Sequence, residues 1–160
     1  MALKKIVPFL LLFVICFIGC KKTNTELMQR ELQAEIDERL IQEFMQNNNI
    51  TAESDTSGVY YSIIDTGRIN PFFTSSSLVI LGYQGRLLDG TVVAETGNFH
   101  PAFILGSVIK GWQYGIMKIK KGGTVRLLIP SRQAYGPYDQ PNIPANSVLD
   151  FTITVYDVIN

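Results

Sequence analysis

Histidine occurs once in this 160-residue chain, at His100, and cysteine twice, at Cys16 and Cys20. That scarcity removes whole classes of chemistry. A Ser/His/Asp triad, a Cys/His pair and a zinc site of His and Cys each need more parts than the chain holds. His100 stands beside Pro101, the setting of a surface-loop residue rather than a ligand. Glu95 alone supplies no carboxylate pair for glycoside chemistry. Gly122-Gly123-Thr124 follows two lysines but lacks the spacing of a phosphate loop, and reads as a turn entering a strand. Formal charge is zero. Without Lys4 and Lys5, 12 of the 14 basic residues remain beyond Cys20 against all 14 acidic ones, which gives no electrostatic footprint for nucleic acid. An enzyme made from this chain works without nucleophile, metal or cofactor.

Long apolar runs are also missing. The stretch from Ile6 to Ile18 falls short of the roughly 20 residues that cross a bilayer. Preceded by Lys4 and Lys5 and followed by Gly19-Cys20, it reads as a targeting segment. Phe17-Ile18-Gly19-Cys20 resembles the lipobox of bacterial lipoproteins, with Phe17 in place of the usual Leu. The resemblance implies a signal peptide over residues 1–19, removal of Cys16 with it, and a lipid on Cys20 that anchors the chain in the bacterial cell envelope. The alternative is an uncleaved signal anchor. With Cys20 acylated no disulfide can form, and stability rests on the core of one domain of roughly 100 residues.

From Asn24 to Gln46, Met28, Leu32, Ile36, Leu40 and Phe44 recur at helical spacing, with Leu27, Ile41 and Met45 beside them. Asn24 or Thr25 can cap the start. This amphipathic helix, within residues 20–50, packs on the domain, pairs with a second copy through residues 24–46, or serves as a client-binding arm. Its polar face is not basic enough for a bilayer surface. Asn47-Asn48-Asn49 breaks it, and residues 51–58, rich in Thr, Ser and Asp, read as a linker. Strand-like segments fill residues 59–160: Val59 to Asp65, Leu78 to Gln84, Thr124 to Ile129 and Leu149 to Tyr156, the last alternating apolar and polar with period two. One short helical pattern intervenes, with Ile109, Trp112, Ile116 and Ile119 on one side. Many strands against one short helix indicate an α+β fold.

Five blocks within this region, in order, are Tyr83 to Gly90, Phe103 to Trp112, Arg126 to Pro130, Ala134-Tyr135-Gly136, and Ile143 to Phe151. Together they resemble the FKBP-type peptidyl-prolyl cis/trans isomerases from about Ser57 to Asn160. The resemblance implies a bent antiparallel sheet of five or six strands wrapped around one short helix, with an apolar pocket between them. Tyr83, Val108, Ile109, Trp112, Tyr135, Ile143 and Phe151 would line it. Trp112 would form the floor, while the Tyr135 hydroxyl and the Ile109 backbone N–H would donate to carbonyls of a prolyl peptide.

Departures fall at one side of the pocket. Val93-Ala94 stand where the family has Phe-Asp, and Pro101 stands where it has an aromatic. Val93 is then a substrate-binding position, and Phe99 a replacement for the missing wall from another loop position. Ala94 cannot supply the family's pocket carboxylate, and alternation along a strand turns Glu95 the other way. The expected activity is prolyl isomerisation of envelope or secreted clients, with a non-catalytic proline-segment binder or a structural envelope lipoprotein as alternatives. The layout of lipobox, helix and isomerase domain also resembles envelope isomerases of Gram-negative bacteria, including the gliding-motility-associated lipoproteins of Bacteroidetes.

Overall fold

The computed structural model describes the backbone of residues 7–69 and 72–160, and the side chains from residue 24 onward within those spans. The Cys16, Phe17 and Cys20 side chains, and residues 1–6 of the expected signal peptide, lie outside the described residues. Among those described, no helix is long and apolar enough to cross a membrane.

Helix α1 runs unbroken over Val7–Asn47. The expected start at Asn24 or Thr25 is not used, because nothing from Cys20 to Thr25 is a glycine or proline that would end the backbone ladder. The chain divides into two compact units, one ending at Glu35 and the other running from Ile36 to Asn160. In the first, Leu27, Met28 and Leu32 are 50%, 69% and 58% exposed.

In the second unit the elements are β1 (Glu53–Ser54), β2 (Tyr60–Asp65), β3 (Leu78–Leu87), β4 (Val92–Glu95), β5 (Ala102–Ile104), α2 (Lys110–Ile116), β6 (Thr124–Ile129) and β7 (Leu149–Ile159). The strands form one antiparallel sheet in the order β1-β2-β6-β7-β3-β4, with β5 also on β3. This is the expected α+β arrangement, with seven strands rather than five or six. Two residues of the expected linker, residues 51–58, are built into the sheet. Glu53 and Ser54 pair with Tyr61 and Tyr60, and the Asp55 carboxylate accepts from the Ser57 amide at 2.9 Å to turn the chain back.

Period-two alternation sorts the sheet's faces. Val125, Leu127 and Ile129 of β6, Leu149, Phe151, Ile153 and Val155 of β7, and Val79 and Leu81 of β3 point inward onto Trp112, Ile116 and Ile119. Each such side chain contributes about 1.5–3 kcal/mol when fully buried. Helix α2 lies close on β6 because Gly111 and Gly115 face it: a Cβ would come within 2.4 Å of Ile129 and 2.3 Å of Leu127.

The outward face of the sheet carries a second apolar cluster. Ile41, with Phe44 and Met45 of α1, packs on Tyr60, Leu128 and Val148. The packed face of α1 is therefore Asp37-Ile41-Phe44-Met45. Ile41 is fully buried, whereas Leu40, on the expected stripe, is 38% exposed. One residue is 100° of helix rotation, and the sheet takes the neighbouring face. Polar contacts reinforce it. The Tyr60 hydroxyl donates to Glu38 at 2.5 Å and accepts from Gln42 at 2.8 Å, and the Arg126 guanidinium lies 5.9 Å from the Phe44 ring centroid.

Candidate functional site

At the N-terminus of α2 the inward faces of β3, β5 and β7 converge on one indole. Trp112, 6% exposed, meets Tyr83 at 4.8 Å between ring centroids, Phe151 at 5.1 Å and Phe103 at 6.0 Å, all edge to face. Such arrangements suit the ring quadrupoles and fix each ring's tilt. The Phe151 ring sits over Gly85, its register partner on β3. Half-buried Val93, Val108, Ile109, Tyr135 and Phe103 pack against the core cluster that contains Trp112, Phe151 and buried Ile143. The structure thus gathers Tyr83, Val93, Val108, Ile109, Trp112, Tyr135, Ile143 and Phe151 in one apolar cluster.

Phe99 does not join it. The Thr96 hydroxyl accepts from the Tyr83 amide at 2.9 Å, and the Phe99 amide returns to the Thr96 carbonyl at 3.0 Å. That tight turn leaves Phe99 72% exposed. The aromatic wall belongs to Phe103 on β5, a residue within the motif that spacing alone did not single out for the site.

Strand β4 explains the missing carboxylate. Gly85 pairs with Ala94 and Arg86 with Val92, so Val93 is an extra residue in a bulge. A bulge lets consecutive residues face the same way, and both Val93 and Ala94 pack toward the core. Glu95 faces outward, where it accepts from the Gln84 side chain at 3.1 Å.

Three polar groups stand at the cluster. Ile109 is the residue before α2, with φ −55° and ψ 148°, and its carbonyl accepts from the Trp112 and Gln113 amides. Its own N–H has no hydrogen-bond partner among the described residues. The preceding loop is fastened by Gln113, whose side-chain amide donates to the Val108 carbonyl at 2.7 Å, a second role that periodicity did not reveal. Burial first, and then the nearby Tyr83, push the Tyr135 phenol above its ordinary value, which keeps it a neutral donor at any physiological pH. The Trp112 Nε1 is buried without a hydrogen-bond partner among the described residues.

Tyr135 leaves a short 3-10 turn, Ser131–Gln133, and Gly136 follows with φ 61°. Onward, the Asp139 carboxylate accepts from the Ala145 amide at 2.8 Å, and Gln140 and Ile143 exchange backbone hydrogen bonds. This turn carries Ile143 back to the cluster. His100 lies away from it, its ring centroid 3.8 Å from that of Tyr156 over Gly82. Among the described residues no cluster of His, Cys, Asp and Glu has the geometry to hold a metal ion.

The model of the FKBP-type peptidyl-prolyl cis-trans isomerase family matches residues 72–156. The FKBP-type isomerase FkpA of Escherichia coli K12 is 35% identical over 108 residues, covering 66% of this chain and 40% of that protein. FkpA of Buchnera aphidicola subsp. Baizongia pistaciae is 37% identical over 112 residues, covering 67% and 43%. The chain therefore spans under half the length of these curated relatives. Among solved structures, FkpA from Escherichia coli superposes with a TM-score of 0.69 at 28% identity, covering 99% of this chain and 74% of that one. A peptidyl-prolyl isomerase from Pseudomonas syringae gives 0.67 at 27% identity, covering 79% and 96%. The chain belongs to the FKBP-type peptidyl-prolyl cis-trans isomerase family.

Proposed function

We propose that this protein is a peptidyl-prolyl cis/trans isomerase that assists the folding of envelope or secreted proteins. The observation that carries the reading is the aromatic box of Tyr83, Phe103 and Phe151 around Trp112, with the open Ile109 N–H beside it. Amide resonance sets a barrier of about 18–20 kcal/mol on rotation about the X-Pro bond. As the bond twists, conjugation is lost and charge on the amide oxygen falls. An apolar, water-poor box favours that less polar form over the planar amide, which is catalysis by differential binding. The Ile109 N–H and the Tyr135 hydroxyl hold carbonyls of the proline-containing client and exchange no proton. Trp112, Phe151 and Ile143 form the floor that admits a prolyl ring by shape, and Val93, Val108 and Tyr83 its sides.

The finer reading extends to the N-terminus. Residues 1–19 act as a signal peptide, Cys20 carries the lipid, and the chain faces the periplasm or the outer membrane from that anchor, with the isomerase domain over residues 59–160. A homodimer forms through residues 24–46, supported by the exposed Leu27, Met28 and Leu32. A monomer mass at every concentration would remove that part.

Ala94 favours a second reading, in which the same box holds proline segments without turning them over. The test is prolyl isomerisation of short Ala-X-Pro-Phe peptides by the wild-type chain beside a folded Trp112→Ala variant. Saturable acceleration that the variant lacks supports the enzyme. Saturable binding with no acceleration supports the binder.

A further inference from the structure

We infer that Asp37 of helix α1 is a positioning residue for Tyr135. The inference rests on the isomerase reading above only where it speaks of rate. Asp37 is fully buried, and its Oδ2 accepts twice from Ser131, from the backbone N–H at 2.8 Å and from the hydroxyl at 2.6 Å. Ser131 opens the 3-10 turn that leads to Tyr135, and no local side chain caps that turn. The carboxylate comes instead from a helix 94 positions earlier in the chain.

The contact continues through the backbone. The Ser131 carbonyl accepts from the Ala134 amide at 2.9 Å and from the Gly136 amide at 2.8 Å. The amides of Ala134 and Gly136, the residues on either side of Tyr135, thus hang on the residue that Asp37 holds. The same turn is held from the other side, where Arg132 and Gln133 each donate to the Ser57 carbonyl at 3.0 Å.

A buried carboxylate is costly unless hydrogen bonds compensate it. Hydrogen bonds donated to a carboxylate are shorter and about twice as strong as neutral ones. If α1 served only to cover Tyr60, Leu128 and Val148, an apolar residue at position 37 would do. A carboxylate aimed at the first donor of the Tyr135 turn fixes where the phenol points. The helix before the isomerase domain is then part of the site's support.

The test uses the full chain and four variants, with backbone amide exchange followed by NMR and prolyl isomerisation measured in parallel. Asp37→Ala should speed exchange at Ala134 and Gly136 about tenfold or more relative to Leu127 and Ile153 in the sheet. It should lower kcat/KM about three- to tenfold, with the loss in kcat, since a misplaced orienting group costs rate more than affinity. Asp37→Asn should restore both readouts, because its amide oxygen can accept from the same two donors. Ile41→Ala, which loosens the same helix face without touching Ser131, should lower stability and leave both unchanged. Ser131→Ala, which keeps one of the two donors, should give a smaller shift of the same kind, and it decides the matter if Asp37→Ala does not fold. Unchanged exchange at Ala134 and Gly136 in a folded Asp37→Ala chain overturns the inference, as does Ile41→Ala reproducing the effect. Absence of isomerisation by the wild type sinks the isomerase reading alone, and the exchange comparison still decides the positioning.

Discussion

The Phe151 ring occupies the space that a side chain on Gly85 would need, since a Cβ there would stand 2.2 Å from the Phe151 Cε1. The two residues are register partners on adjacent strands, so neither backbone can retreat without breaking the β3–β7 ladder. Gly85→Ala should therefore drive the ring toward Trp112 and destabilise the fold by about 1–3 kcal/mol. A urea midpoint indistinguishable from wild type would show that the ring gives way freely.

Trp112 separates ring burial from hydrogen bonding. Its Nε1 has no partner among the described residues, so Trp112→Phe removes an unsatisfied donor along with part of the ring. Trp112→Ala removes the whole indole, at about 3–5 kcal/mol. The phenylalanine variant should lose less than half as much, as measured by denaturation followed in the far-UV. Equal losses would mean that the indole nitrogen is bonded after all.

Alkaline pH should weaken the fold through its phenols. Tyr135 is raised by burial and then by Tyr83, and Tyr60 by burial and then by its bond to Glu38. A folded pKa above the unfolded one favours the neutral phenol in the folded state. That contribution is complete below the unfolded value of about 10 and is lost as pH rises through the folded one. The urea midpoint should thus fall as pH rises beyond about 10, and less steeply for Tyr135→Phe. Identical slopes would exclude Tyr135 as a contributor.

On the outer face, Arg126 and Asp150 form a bidentate pair at 2.9 and 2.7 Å, with the carboxylate buried. Each raises the cost of losing the other. Asp150→Ala should cost about 2–3 kcal/mol by stranding a part-buried guanidinium beneath Phe44, while Arg126→Met with Asp150→Leu should recover most of it. A double-mutant cycle with no coupling would contradict this account.

Much of the fold was legible because burial follows period. β6 ends where Gly123 and Pro130 set it, and of the expected stripe Trp112 and Ile116 on α2 and Ile119 just beyond it are buried, while Ile109 precedes the helix and is half-buried. Strand ends were not legible where pairing sets them: β3 reaches Leu87 and β7 reaches Ile159 because they extend one another. On α1, neighbouring apolar faces compete, and only the sheet decides between Leu40 and Ile41. Motif order brought most of the cluster together. Phe99 and Phe103 could not be told apart by composition, since a turn at Thr96 sends one to solvent. Asp37 was illegible because its partner lies on the far side of the chain in sequence.

Strand β7 is the last element in chain order, yet it lies between β6 and β3 in the middle of the sheet. Until it is made, β3 and β6 each present an open edge with apolar side chains behind it, the condition that invites pairing with other chains. A growing polypeptide halted before Leu149 can pair only β1-β2-β6 and β3 with β4 and β5, two separate pieces of sheet, and Phe151, Ile153 and Val155 are still missing from its core. The domain therefore comes together only after synthesis has passed β7. Until then the protein proposed to help other chains fold is itself a chain in need of protection.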